Sequence, residues 1–145
     1  MNFDKFTIKA QEVVQEAANG AQRGGQQTIE PIHFLRAMIE KAQDVVGFLL
    51  QKQGVNVQHI AQVTESEISH LPRVSGGNGQ SYLSNDANQV VMRAEALAQE
   101  MGDEYVSVET FFLALLDVNS TASRILKDAG LTKQNVTAAI RELRQ

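Results

Sequence analysis

Apolar residues recur along the chain at the three- and four-residue spacing of an amphipathic helix. The clearest stripe of such positions consists of Ala10, Val13, Val14, Ala17 and Ala21. Thr7 precedes this stripe and can cap the helix, while Gly24 and Gly25 follow it and can end the helix. Alternation typical of strands is scarce along the chain, so the pattern favours an all-α fold.

The stripe occurs a second time at a constant offset. Residues 6–39 match residues 83–116 without a gap at an offset of 77, and nine of these pairs are identical. The identical pairs are mostly small or apolar: Ala10/Ala87, Val13/Val90, Val14/Val91, Ala17/Ala94, Ala21/Ala98, Gln22/Gln99, Gly25/Gly102, Phe34/Phe111 and Ala37/Ala114. Such self-similarity indicates a duplicated unit.

Capping and breaking residues divide each copy into four predicted helices. After the stripe, the helices of the first copy are predicted over 32–40 and 45–53 and from a cap at Asn56 to the break at Leu71 and Pro72. The predicted N-caps of the second copy are Ser84, Ser107, Ser120 or Thr121, and Thr132, with the last helix running to about Arg144.

The duplication predicts the domain organisation. Residues 5–72 form the first repeat and residues 84–145 the second, with a flexible connector over 73–83 that is rich in small and polar residues. Each copy would be marginally stable alone, whereas two stacked copies share one apolar seam. We therefore expect one domain of two four-helix repeats related by a pseudo-twofold axis.

Composition narrows the class of protein. The 145 residues are 43% hydrophobic and 21% charged, with a net charge of −4 and no cysteine. An acidic chain offers no basic field for nucleic acid or anionic lipid, so neither is an expected partner. The lack of cysteine suits a reducing compartment, and neither a secretory signal nor a membrane span is evident, which favours the cytoplasm.

No motif for catalysis or metal binding stands out. The cluster at 76–79 lacks the preceding strand and the following Gly-Lys-Ser/Thr of a phosphate loop, so we interpret it as a linker. His33, His59 and His70 form no His-Glu-x-x-His pattern, and no serine lies in a Gly-x-Ser-x-Gly turn. His33 is expected to be a hydrogen-bonded packing residue. We expect neither catalytic residues nor a bound cofactor or metal.

Four polar residues lie at predicted helix ends. Thr7 and Ser107 are predicted N-caps. Glu109 lies in the first turn after Ser107, where its negative charge stabilises the helix by roughly 0.3–1 kcal/mol through the positive helix end. Asp103 follows the predicted stop at Gly102 and suits a turn. Local structure alone would explain Thr7, Asp103 and Glu109.

Four segments carry a family resemblance. They are MNFDKFT at 1–7, IEPIHFL at 29–35, LPRVSG at 71–76 and GDEYVSVE at 102–109. Together they resemble the N-terminal double-repeat domain of the Clp ATPases, and among these the ClpB disaggregases. The resemblance covers the whole chain, and the connector followed by YLS at 82–84 is more similar to ClpB than to the protease-coupled ClpA and ClpC.

The resemblance implies a mobile, non-catalytic domain tethered to a hexameric ATP-driven ring. Such a domain engages unfolded or aggregated polypeptide and assists its transfer to the ring. ATP and magnesium would belong to ATPase modules outside this chain, and the isolated domain is expected to be monomeric. The alternative within the family is an adaptor-docking domain of a ClpA- or ClpC-type protease ATPase. A free-standing helical enzyme would instead require a concave polar pocket with convergent titratable groups.

The resemblance also implies site residues. The implied substrate-binding residues are Thr7, Val91, Asp103 and Glu109. Val91 is the best match to an apolar groove on the first helix of the second copy, but Arg93 and Thr110 stand where some relatives carry leucine. ClpC relatives recognise phosphorylated arginine through a Glu in both copies. Here those positions are Ile32 and Glu109, so a symmetric pair of sites is not expected.

Overall fold

The structure is a computed structural model that describes residues 2–75 and 79–145. Within these residues the chain forms eight helices and two strands of two residues each. The elements are α1 (Ile8–Arg23), β1 (Thr28–Ile29), α2 (Pro31–Lys41), α3 (Gln43–Gln51), α4 (Val57–Ser69), β2 (Tyr82–Leu83), α5 (Asn85–Glu100), α6 (Val108–Asp117), α7 (Thr121–Asp128) and α8 (Lys133–Leu143). The all-α fold class predicted from the sequence is confirmed.

Most helices begin where capping residues predict. The Thr7 hydroxyl accepts a hydrogen bond from the Ala10 amide at 3.1 Å, and the Ser84 hydroxyl accepts the equivalent bond from the Ala87 amide at 3.0 Å. The exception is α3, which begins and ends two residues before the predicted 45–53. Its first two residues, Gln43 and Asp44, are polar, and the prediction followed the apolar residues that begin at Val45.

Two short parallel pairings interlock the repeats. Ile29 pairs with Leu83 in the β1–β2 ladder, and Phe6 pairs with Val106 in an isolated bridge. At the offset of 77, Phe6 corresponds to Leu83 and Ile29 corresponds to Val106. The same pairing is therefore made twice, each time between the segment before the first helix of one copy and the segment before the second helix of the other. This exchange is what a pseudo-twofold arrangement requires.

A series of aromatic rings crosses the centre of the domain. Phe34 of α2 and Phe111 of α6 are equivalent residues of the two copies, and their ring centroids lie 5.0 Å apart. Phe111 also contacts Phe6 at 5.4 Å, and Phe6 contacts Phe3 at 5.1 Å. Phe6, Phe34 and Phe111 are buried, so the two repeats share one core.

The described part of the connector is bonded to the first repeat. The Val74 amide donates to the Gly25 carbonyl at 2.8 Å, and the Ser81 hydroxyl donates to the Gln26 carbonyl at 2.8 Å. Tyr82 and Leu83 then form β2. Residues 76–78, where part of the predicted linker falls, lie outside the described residues.

Candidate functional site

The turn between α5 and α6 presents a carboxylate at the surface. Gly102 adopts a φ of +75°, a conformation that side chains disfavour, and the Asp103 amide then donates to the Ala98 carbonyl at 2.9 Å. These contacts close α5 through backbone groups. The Asp103 side chain is thus left free to make contacts elsewhere.

The start of α6 presents a second carboxylate. Ser107 is the N-cap, and its hydroxyl accepts a hydrogen bond from the Thr110 amide at 3.2 Å. Glu109 lies in the first turn, where the positive end of the helix stabilises its charge. The capping roles predicted from the sequence are compatible with this geometry.

Arg144, the C-cap residue of α8, joins the two carboxylates. Its Nη2 donates to Asp103 Oδ2 at 2.9 Å and to Ser107 Oγ at 3.2 Å, and its Nε donates to Glu109 Oε2 at 3.0 Å. A longer bond of 3.4 Å runs from Nη1 to Asp103 Oδ1. One guanidinium therefore binds both predicted acidic site residues and the α6 cap.

The carboxylates affect the pKa of Arg144. Partial burial acts to lower the pKa of Arg144, but hydrogen bonds and charges from Asp103 and Glu109 outweigh it and raise that pKa above its usual value. The guanidinium is therefore permanently charged. The Arg144 side chain nevertheless keeps 35% of its exposure, so water can reach the cluster.

Thr7 lies beside this turn because the first repeat is paired with it. The Thr7 amide donates to the Val106 carbonyl at 2.9 Å, and the Val106 amide donates to the Lys5 carbonyl at 2.7 Å. We call the surface formed by Thr7, Asp103, Ser107, Glu109 and Arg144 the α1–α6 surface. The structure thus brings three of the four predicted site residues to one region.

Two exposed apolar residues flank the α1–α6 surface and were not predicted as site residues. Ile8 follows Thr7 and is 78% exposed, and Tyr105 lies in the turn before α6 and is 47% exposed. Arg144, which donates to both carboxylates and to Ser107, was also not predicted as a site residue. The sequence does not show which large apolar residues are exposed, so Ile8 and Tyr105 could be identified only from the structure.

The fourth predicted residue, Val91, is not at a surface. Its side chain is 1% exposed and packs in the core, so Val91 presents no surface to a polypeptide in this structure, and its role in binding stays a prediction. The physical reason is the helix spacing, since Val91 belongs to the apolar stripe that α5 buries.

Arg93 and Thr110, the two departures from leucine, both make polar contacts. Arg93 Nε donates to Asp117 Oδ2 at 2.7 Å. Thr110 is fully buried, and its hydroxyl accepts a hydrogen bond from Ser107 Oγ at 3.1 Å. The Arg93–Asp117 ion pair thus stands where the resemblance implies an apolar residue.

An apolar depression occurs instead on the first copy. It has a volume of about 420 Å³ and lies between α1 and the β1–β2 pair. Its apolar lining comes from Phe3, Val14, Ala18, Ile29 and Leu83. Val14 is the counterpart of Val91 in the first copy, so the equivalent position there borders a depression.

The histidines offer no metal site. Within residues 2–75 and 79–145, no group of three or more His, Asp or Glu side chains is placed to hold a metal ion. His33 is buried, and its Nδ1 accepts a hydrogen bond from the Glu30 amide at 2.8 Å. Burial, assisted by the positive charge of Arg36, lowers the pKa of His33 to about 4. A neutral packing histidine is what the sequence predicts at this position.

Among the described helices, none is both long and apolar enough to cross a bilayer.

Comparison with known proteins agrees with this architecture. The chain is 50% identical over all 145 residues to the chaperone protein ClpB of Bacteroides thetaiotaomicron, but it spans only 17% of that protein's length. The Hsp104 N-terminal domain from Candida albicans superposes with a TM-score of 0.85 at 24% identity, covering 97% of this chain and 92% of that domain.

A further solved structure contains a bound peptide. The ClpV N-domain in complex with a VipB peptide matches with a TM-score of 0.77 at 18% identity, covering 92% of this chain and 83% of that one. At this identity the likeness concerns the fold alone. The family model of the Clp repeat (R) N-terminal domain matches residues 5–129. The chain therefore belongs to the Clp repeat N-terminal domain family, whose members are non-catalytic domains of AAA+ ATPases, and its relatives include ClpB chaperones.

Proposed function

We propose that this chain is the substrate-engaging domain of a ClpB-like disaggregase. It binds unfolded or aggregated polypeptide and assists transfer of that polypeptide to a hexameric ATPase ring. The observation that carries the proposal is the placement of Thr7, Asp103 and Glu109 on one surface, beside exposed Ile8 and Tyr105. The ClpB relatives favour this function over the alternative of adaptor docking.

The chemistry of the surface suits a weak, unspecific ligand. Exposed apolar groups supply affinity for any unfolded chain, because burial of apolar area does not depend on sequence. The carboxylates of Asp103 and Glu109 accept hydrogen bonds from backbone amides or from cationic side chains. The depression beside α1 adds an apolar wall on the helix that Thr7 caps.

The same proposal covers what lies outside this chain. ATP and magnesium act in ATPase modules that the chain does not contain, and the ring is its assembly partner. The domain itself needs no cofactor and works as a monomer in the cytoplasm. The ClpV N-domain, which shares the fold, was solved with a peptide bound, and this supports peptide binding as a use of the fold.

The test is a titration followed by NMR. Lysozyme that is permanently unfolded by reduction and carbamidomethylation is added to the ¹⁵N-labelled chain. Binding at the proposed surface shifts amide signals around Thr7, Asp103 and Glu109 and leaves α7 unaffected. A saturating shift pattern elsewhere, or no shift at all, contradicts the proposal.

Two pairs of variants separate binding from stability. Thr7→Ala and Ser84→Ala remove equivalent caps of α1 and α5, each at a cost of about 1 kcal/mol in unfolding free energy. Glu109→Gln and Asp86→Asn each neutralise an acid in the first turn of a helix. Only Thr7→Ala and Glu109→Gln should weaken binding of unfolded lysozyme, and equal effects within each pair would contradict the assigned surface.

A further inference from the structure

We propose that Arg144 is an intrachain latch that occupies the α1–α6 surface and must leave before Asp103 and Glu109 can bind polypeptide. This inference rests on the proposed function, and it adds a regulatory step to the same surface. The contact is autoinhibitory because the guanidinium uses the carboxylate oxygens that a ligand would need.

The first argument is the geometry of the contact. Arg144 spans 35 residues of sequence to Glu109 and 41 to Asp103, and it bonds both at 2.9 to 3.0 Å. A guanidinium that bridges two carboxylates uses its donors in their preferred planar arrangement. Since Arg144 Nη2 also donates to Ser107 Oγ, three polar groups of the surface are engaged by one side chain.

The second argument is that the latch can open. Asp103 keeps 26% and Glu109 keeps 14% of their side-chain exposure, so the pairs are partly hydrated. Ion pairs of this kind stabilise only weakly, because water and salt compete with them. A network of this strength is closed most of the time but exchanges with an incoming donor.

The third argument is that Arg144 is not needed to hold the neighbouring elements together. The Ser107 cap of α6 forms from the Thr110 amide, and the end of α5 forms from backbone bonds. Helix α8 is held by buried Val136, Ala139 and Ile140. Removing the Arg144 side chain therefore frees the carboxylates without removing a helix cap or a core contact.

The test compares Arg144→Gln with Arg141→Gln in the titration with unfolded lysozyme. Arg141 is exposed on the same helix and serves as the matched control. Arg144→Gln should bind roughly threefold to tenfold more tightly than the unaltered chain, which corresponds to an open fraction of about one third to one tenth when the latch is present. Arg144→Lys keeps the charge but loses the planar guanidinium, so its affinity for unfolded lysozyme should lie between those of Arg144→Gln and the unaltered chain.

A second readout follows the latch itself. The Nε–H signal of Arg144 should be protected from exchange with water in the free chain, since it donates to Glu109. It should lose this protection as unfolded lysozyme is added. The Nε–H of Arg93, which donates to Asp117 on α6, is the internal reference and should keep its protection.

The outcomes separate the two proposals. If no variant binds unfolded lysozyme, both the proposed function and the latch are wrong. If all bind at the α1–α6 surface but Arg144→Gln binds equally or more weakly, the latch alone is wrong. A protected Arg144 Nε–H at saturation also overturns the latch and leaves the proposed function standing.

Discussion

His33 Nε2 lies 3.2 Å from Gln26 Oε1, and both side chains are buried. Because Nδ1 of His33 accepts a backbone amide, Nε2 carries the proton and donates to the Gln26 oxygen. At the offset of 77 the counterparts in the second copy are Thr110 and Asp103. In the first copy these two positions hold a neutral buried pair, His33 and Gln26. In the second copy one of them holds the carboxylate of Asp103, which binds Arg144. The copies share a fold and differ in which one offers charge at the surface.

The buried His33 predicts a loss of stability in mild acid. Its pKa is lowered from 6.5 to about 4 in the folded chain by burial and then by Arg36, against an opposing effect of Glu30. The unfolded chain takes up the proton near its ordinary pKa of about 6.5, so protonation favours unfolding. The stabilisation is complete above that pH and decreases as pH falls towards 4. The loss from this group is at most about 3 kcal/mol.

The measurement is urea unfolding at several pH values between 7 and 4. His33→Asn should flatten the dependence of unfolding free energy on pH in this window, since the Asn oxygen can accept the Glu30 amide without titrating. His59→Asn, at an exposed position of α4, is the control. An unchanged slope in His33→Asn would show that other groups cause the acid sensitivity.

The sequence predicts the helices well because caps and apolar spacing are local signals. Thr7, Ser84 and Ser107 are N-caps as predicted, and only short α3 is displaced. The site is less accessible to such reasoning. The contact of Arg144 with Glu109 joins residues 35 apart, and no local pattern indicates which arginine of α8 reaches that turn. For Val91 the helical spacing indicates the buried face, as the structure shows, whereas the resemblance implies a binding role.

Two glycines should respond to alanine in opposite directions. Gly102 has a φ of +75°, where a Cβ is strained, so Gly102→Ala should lower unfolding free energy by about 1–2 kcal/mol. Gly47 lies within α3, and an added Cβ would meet no atom within 4 Å. Gly47→Ala should therefore raise unfolding free energy by about 0.5–1 kcal/mol. Denaturant unfolding checks both, and shifts of the same sign would contradict the assigned conformations.

Leucine at positions 93 and 110 tests what the two polar residues contribute. Arg93→Leu removes the ion pair with Asp117 and adds an apolar group near Met92, which is 59% exposed. It should increase binding of the dye ANS while lowering unfolding free energy by about 1 kcal/mol or less. Thr110→Leu changes a fully buried site and should instead cost about 1–3 kcal/mol through overpacking. Equal ANS binding by Arg93→Leu and the unaltered chain would show that Arg93 does not limit the apolar exposure of this part of α5.

The contact between Phe34 and Phe111 predicts that the two repeats unfold as one unit. Each single change to Leu should cost about 1–2 kcal/mol, with Phe111→Leu costing more because Phe111 also contacts Phe6. A double-mutant cycle should give a coupling of about 0.5–1.5 kcal/mol, the range for an aromatic pair at this distance. Phe3 lies at the other end of the ring series, so Phe3→Leu with Phe34→Leu should be additive within about 0.5 kcal/mol. Zero coupling between Phe34 and Phe111, or two separate denaturant transitions, would mean that each copy is stable by itself and that the shared core does not unite them.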